Sequence, residues 1–251
     1  MDFLHLHASD GTLLYAEMIK PPDFSPGKKY PVLFYVYGGP EAQNVRDMWG
    51  GATFLWHELM AEHGYIIFML DNRGSYNRGH AFETPVYHHF GSVEVQDQVV
   101  GAQYLESQPY VDSSRIGVWG WSYGGHMTLQ LLFREGKYFK TGVAVAPVTD
   151  WRLYDTIYTE RYLGLPSDNP EGYRLSSPIT HAANLKGKLM LIHNFSDDNV
   201  LFQNTFRMMD ALTRAGKQFE LRLYPQKAHG VTGAARRHML EAITTFFEQN
   251  L

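Results

Sequence analysis

One stretch constrains this chain more than any other: Arg115-Ile-Gly-Val-Trp-Gly-Trp-Ser-Tyr-Gly-Gly125. Within it, Gly120 and Gly124 flank Ser122 in the pattern G-x-S-x-G. The β-like residues Ile116, Val118 and Trp119 lead in, and a helix-like run from Met127 to Glu135, stopped by Gly136, leads out. A strand that turns sharply into a helix strains the backbone of the turn residue and leaves no room for side chains beside it, so its neighbours must be small. The turn lifts Ser122 Oγ out of the sheet, and the N-terminus of the next helix aims N–H groups at any negative charge that develops there. Alone, the pentapeptide is a glycine-rich turn that holds a serine. In a strand–turn–helix setting it reads as a nucleophile, and the rest of the chain must supply a base, an orienting acid and donors for an oxyanion.

The remaining pattern supplies a scaffold for such a turn. Pro31 to Tyr37, Tyr65 to Leu70, Thr141 to Ala146 and Lys188 to His193 are continuous apolar runs, typical of strands buried on both faces. Phe219 to Tyr224 alternates as a strand, and Thr12 to Ile19 alternates as an exposed edge strand does. Helices are expected over Phe54–His63, Val93–Ser107, Val200–Ala215 and Ala234–Glu248. Alternating strands and helices imply an α/β fold, a mostly parallel doubly wound sheet with helices on both faces. No repeat, low-complexity segment or linker divides the 251 residues, so residues 1–251 are expected to form one domain.

In such sheets ligands bind beyond the carboxyl ends of the strands. The polar residues just past each strand are therefore the candidates: Tyr37 with Gly38-Gly39, then Asp197, Asp198 and Asn199, then His229 in the loop Pro225-Gln-Lys-Ala-His-Gly230. The order serine, aspartate, histidine is that of an α/β hydrolase, with His229 as general base and an aspartate holding its tautomer. Spacing alone does not separate Asp197 from Asp198.

Other chemistries are disfavoured. There are no cysteines, which excludes disulfides, thiolate metal sites and a cysteine nucleophile. Of the 12 histidines, His57 and His63 resemble a zinc-protease pair. Six residues turn a helix through about 600°, however, so their rings face apart. No metal and no cofactor is expected. A net charge of −4 gives no reason to expect nucleic acid or an anionic membrane as partner. No apolar run approaches a membrane span, and Met1 to Ser9 lacks a signal peptide's basic start, so a soluble domain is expected, with any export signal lying upstream. Asn194-Phe-Ser196 has the form of a glycosylation sequon but stands too close to Asp197 to be read as one.

Beyond these readings, the chain resembles the dipeptidyl peptidase IV branch of the prolyl oligopeptidase family of serine peptidases. The resemblance rests on G-W-S-Y-G-G at 120–125, V-Y-G-G-P at 36–40, V-A-P-V-T-D-W at 145–151, Y-T-E-R-Y at 158–162 and D-D-N-V at 197–200. It implies an α/β-hydrolase fold and a triad of Ser122, Asp197 and His229, the acid being the first aspartate of D-D-N-V. It further implies an oxyanion hole made by the Tyr37 hydroxyl and the Tyr123 backbone N–H. A proline pocket would be lined by Tyr123, Val148, Trp151, Tyr154, Tyr158 and Val200, with Asn199 hydrogen-bonding a substrate carbonyl. Without the resemblance, the spacing of Trp151, Tyr154 and Tyr158 would mark the buried stripe of a helix. The loop before His229 departs from the family's often acidic pattern, reading Gln226-Lys227-Ala228.

The implied activity is cleavage of peptides after proline, less readily after alanine, through an acyl-enzyme on Ser122, as a dipeptidyl aminopeptidase at full length. A general esterase or acylaminoacyl peptidase and a non-catalytic hydrolase-fold module are the rivals. Nothing in the chain resembles the family's N-terminal β-propeller, which gates access and grips the substrate's amine. The expected partners are therefore a peptide substrate and that propeller. Its exposed docking surface is expected to make the domain self-associate, and a homodimer fits the same surface.

Overall fold

A computed structural model describes all residues, 1–251. Its strands are β1 Asp2–His7, β2 Leu13–Ile19, β3 Tyr30–Tyr35, β4 Ile66–Asp71, β5 Val111–Trp121, β6 Thr141–Val145, β7 Lys188–Asn194 and β8 Glu220–Tyr224. Its helices are α1 Gly51–Glu62, α2 His80–Glu83, α3 Val93–Ser107, α4 Tyr123–Arg134, α5 Thr156–Leu163, α6 Pro170–Ser176, α7 Gln203–Arg214 and α8 Gly233–Asn250. The strands form one eight-stranded sheet in the order β1-β2-β4-β3-β5-β6-β7-β8. β1, β2 and β4 pair antiparallel, and every pairing from β4 through β3 to β8 is parallel.

The apolar runs become central strands because successive side chains feed cores on opposite faces. Val32 and Phe34 of β3 and Val118 of β5 join the larger core, whereas Leu33 and Trp119 join the smaller one. On the larger side α3, α4 and α7 contribute Ala102, Leu105, Met127, Leu131, Met208 and Leu212. On the other, α1 and α8 contribute Trp56, Met60, Met239, Ile243 and Phe247. Helices therefore cover both faces, and the sheet is the α/β hydrolase expected. None of these helices is long and apolar enough to cross a membrane.

Two details differ from the sequence reading. Thr12–Ile19 is not an edge strand: β1 lies outside it, pairing Phe3 with Glu17 and Leu6 with Leu14. The polar members of its alternation are covered rather than solvated, and Glu17 is only 3% exposed. β1 itself carries the exposed edge, its apolar residues alternating with histidines. The stretch between β6 and β7, for which only an aromatic spacing was read, folds into α5 and α6.

Glu17 and Asp71 form a buried carboxylate pair that fastens the loop leading away from Tyr37. Asp71 Oδ1 and Oδ2 accept the backbone N–H groups of Asn44 at 2.8 Å and Val45 at 3.0 Å. The backbone N–H of Arg46 faces Glu17 and favours its charged form. Burial pushes Glu17 up to about 6, against the Arg46 N–H and with the help of the Asp71 and Glu58 charges. A carboxyl raised in the fold binds more protons there than in the unfolded chain. Its contribution to stability is thus full below the unfolded value of 4.5 and is lost as pH rises through about 6. Glu17→Gln should be indistinguishable from wild type in urea unfolding at pH 4 and more stable by about 1–2 kcal/mol at pH 7.5. Equal or lower stability at pH 7.5 would show that the carboxylate is not strained by its burial.

Candidate active site

The candidate residues gather where the parallel strands end. Tyr37 follows β3, Ser122 follows β5, Asp197 follows β7 and His229 follows β8. Ser122 has φ 61° and ψ −117°, a conformation that a residue with a side chain rarely adopts. Its N–H donates to Val145 O at 2.8 Å and its carbonyl accepts from His126 N at 3.0 Å, so the turn is held from the sheet and from α4. The flanking glycines are forced by contact. A Cβ on Gly124 would stand 2.2 Å from the Val36 carbonyl oxygen, and one on Gly120 would stand 2.3 Å from that same oxygen.

Asp197 and Asp198, adjacent in sequence, have different surroundings. Asp197 is 4% exposed, and its Oδ1 accepts the backbone N–H groups of Asn199 at 3.0 Å and Val200 at 2.9 Å. Its Oδ2 accepts from His229 Nδ1 at 2.8 Å. Burial works against the charge on Asp197, but the hydrogen bond and charge of His229 and the two backbone N–H groups outweigh it and hold the carboxyl below its usual range. Asp198 is exposed and makes no side-chain hydrogen bond. A second imidazole, His193, lies 3.6 Å from Asp197 Oδ2. It is fully buried between Val200 O (2.8 Å) and Thr205 Oγ1 (2.7 Å). Burial lowers its pKa, so it stays neutral, with the proton on Nε2 facing the Val200 carbonyl.

Ser122 Oγ and His229 are not hydrogen-bonded. The His229 ring stands beside that of Trp121, the residue before Ser122, at a centroid distance of 6.5 Å. The Tyr37 hydroxyl makes no hydrogen bond within the chain. Burial and the nearby Glu41 charge push its pKa up, so it remains a phenol able to donate.

Of the six residues expected to form a pocket, the four aromatic ones meet beside this turn, and not as one helical stripe. Trp151 opens a 3₁₀ turn, Tyr154 closes it, and Asp155 caps α5 by accepting the Tyr158 N–H at 2.8 Å. Trp151 is buried and lies nearly parallel to Tyr158, centroids 6.0 Å apart and planes at 21°. Tyr154 stands edge-on to both. Tyr123 contributes its ring at 5.4 Å from Trp151. Val148 and Val200 are buried in the same larger core as Trp151, and Asn199 Oδ1 accepts from Tyr154 OH at 2.7 Å.

Several participants escaped the sequence reading. Phe90 packs 4.8 Å from Trp151 and 5.3 Å from Tyr123, closing the aromatic cluster. Its only signal is its place among several aromatics of the glycine-rich loop that ends at Gly91. Glu94, in the first turn of α3, is fully buried and accepts Tyr123 OH at 2.8 Å together with the Gly91 and Ser92 N–H groups at 2.9 Å. Tyr123, whose pKa burial and the Glu94 charge raise, keeps its proton and donates it. His126 lies behind the cluster, 5.1 Å from Tyr123 and 5.2 Å from Trp151, its pKa lowered to about 3 by burial. The His57/His63 pair faces apart: His57 accepts from Trp119 Nε1 inside the core, whereas His63 meets Glu248 at the surface. No group of three or more His, Cys, Asp or Glu side chains is placed to hold a metal ion.

A mostly parallel sheet with a strained serine at the β5–α4 turn defines an α/β hydrolase. Residues 53–251 match the prolyl oligopeptidase family. The chain is 41% identical to mouse (Mus musculus) dipeptidyl peptidase 8 over 234 residues, 92% of this chain and 26% of that protein. It is 38% identical to bovine (Bos taurus) dipeptidyl peptidase 4 over 99% of this chain and 32% of that protein. The crystal structure of Porphyromonas gingivalis dipeptidyl peptidase 4 superposes with a TM-score of 0.95 at 39% identity, covering 100% of this chain and 35% of that one. This chain belongs to the prolyl oligopeptidase family of serine-type peptidases. It spans about a quarter to a third of the length of these relatives.

The elbow yields a direct test. Gly124→Ala must displace either the Val36 carbonyl or the Ser122 turn, at a cost of about 1–3 kcal/mol. A thermal melt should show that loss, and an unshifted midpoint would mean the close approach is not as tight as 2.2 Å.

Proposed function

We propose that this chain is the catalytic domain of a dipeptidyl peptidase that cleaves after proline, less readily after alanine, through an acyl-enzyme on Ser122. The observation that carries the reading is the Asp197–His229 pair at 2.8 Å, beside a strained serine and an aromatic slot. Ser122 Oγ attacks the scissile carbonyl carbon while its proton passes to His229 Nε2. Asp197 stabilises the imidazolium and keeps Nδ1 protonated. The carbonyl oxygen becomes an oxyanion that accepts from the Tyr37 hydroxyl and the Tyr123 N–H, donors of a kind whose loss typically costs ~10²–10³ in rate. Collapse expels the amine, which takes the proton back from His229. Water then attacks the acyl group by the same route and frees Ser122.

Specificity follows from the walls. Tyr123, Val148, Trp151, Tyr154, Tyr158 and Val200 offer flat apolar faces that suit a rigid pyrrolidine ring, with alanine filling the same space less well. Asn199, already held by Tyr154, presents its amide to a substrate carbonyl. The relatives named as dipeptidyl peptidases are three to four times longer than the matched region, which supports an N-terminal β-propeller as this domain's partner. Amine recognition and exopeptidase length selectivity are assigned to that partner, and the peptide substrate enters between the two.

Hydrolysis of a Gly-Pro arylamide and an N-blocked acyl-Gly-Pro arylamide tests this, with Ser122→Ala as control. Cleavage of both, abolished in the variant, is the expected result. Turnover of a simple acetyl ester without either prolyl substrate would move the assignment to an esterase.

A further inference from the structure

β7 ends in Asn194, whose side chain is 1% exposed and points into the loop that carries His229. Its Nδ2 donates to the Ala228 carbonyl at 2.6 Å and to the His229 carbonyl at 3.1 Å. Apart from the His229–Asp197 bond, these are the hydrogen bonds that fasten residues 225–230 to the rest of the fold. Gln226 in this loop has φ 57°, a left-handed conformation that a side chain disfavours. Asn194 Oδ1 is buried with no partner. An unpaired buried acceptor costs about 1–3 kcal/mol, yet turning the amide over would set that oxygen against two carbonyl oxygens. The amide is thus locked with both donors on the peptide groups around His229. Its burial also removes the Asn194-Phe-Ser196 sequon from the surface.

We propose that Asn194 is a positioning residue for the general base. One NH₂ group holds two consecutive carbonyls, which fixes the backbone from which the His229 side chain springs. Asp197 restrains the far end of that side chain at Nδ1. Between the two anchors the imidazole keeps few ways to turn, and Nε2 stays within reach of Ser122 Oγ. This role rests on the reading of His229 as the base. It predicts that losing the amide donors slows the attack of Ser122 without altering what the pocket binds.

The rate at which a fluorophosphonate labels Ser122 in this chain reads that attack directly, and its saturation separates kinact from KI. Asn194→Ala removes both donors; Asn194→Asp keeps the shape but places an oxygen against both carbonyls. The expected fall in kinact is roughly 10-fold for Ala and roughly 100-fold for Asp, at unchanged KI. If Asn194 merely filled space, the order would be reversed, because Asp fills the site and Ala does not. Should Asn194→Asp fail to fold, Asn194→Ala decides alone: a lower kinact at wild-type KI supports the role, and an unchanged kinact or a change confined to KI overturns it. His229→Ala keeps the two readings apart. Slow labelling of His229→Ala with wild-type labelling of the Asn194 variants would remove the clamp and leave the base in place. Fast labelling of His229→Ala would remove the base and the clamp with it.

Discussion

The contact on which this structure depends is the close approach of the Val36 carbonyl to the turn between β5 and α4. Its oxygen lies 2.2 and 2.3 Å from where Cβ atoms of Gly124 and Gly120 would stand. That approach is possible only because both residues are glycine, and it lets β3 and the start of α4 meet across the end of β5. The strain at Ser122 is fixed by the same geometry, since its N–H is held by Val145 and its carbonyl by α4. Such strain persists only where the surroundings over-determine it. Here a central strand, its two neighbours and a buried helix do so.

Electrostatics then arrange the rest of the site from buried groups whose charge states are set by what they touch. Asp197 keeps its charge because three donors, the Asn199 and Val200 N–H groups and His229 Nδ1, face it; Glu94 is tied to Tyr123 and the loop before α3. The Glu17–Asp71 pair restrains the backbone beyond Tyr37 at the cost of crowding two carboxylates. Two of the parts proposed to act on substrate are backed by buried partners, Tyr123 by Glu94 and His229 by Asp197 and Asn194, whereas Tyr154 bonds the exposed Asn199. Preorganisation of that kind lets donors aim at a developing charge without rearranging at the moment of reaction.

Most of the sheet was legible because the middle of nearly every interior strand is a short apolar run, and one such as Leu189-Met-Leu-Ile192 has few alternatives. The serine turn, the two aspartates and the histidine could be placed from the same pattern because each follows a strand. Asp197 and Asp198 could not be told apart locally, since one peptide turn buries the first and exposes the second. β1 is hard to read because histidines stand between its apolar residues, and without it β2 has the pattern of an edge. Phe90, Glu94 and Asn194 stayed hidden for a common reason: each acts through a neighbour distant in sequence, Trp151, Tyr123 and Ala228 respectively. Periodicity carries no trace of such pairings.

The central claim is that Ser122 is a working nucleophile, and a pre-steady-state experiment reaches it most directly. Mixing the chain with excess p-nitrophenyl acetate should release a burst of about one nitrophenolate per chain before the slower steady rate, because acylation outruns deacylation. Mass spectrometry of the quenched protein should then find the acetyl group on the peptide that contains Ser122. Linear release with no burst, or acetyl groups scattered over lysines, would contradict the account.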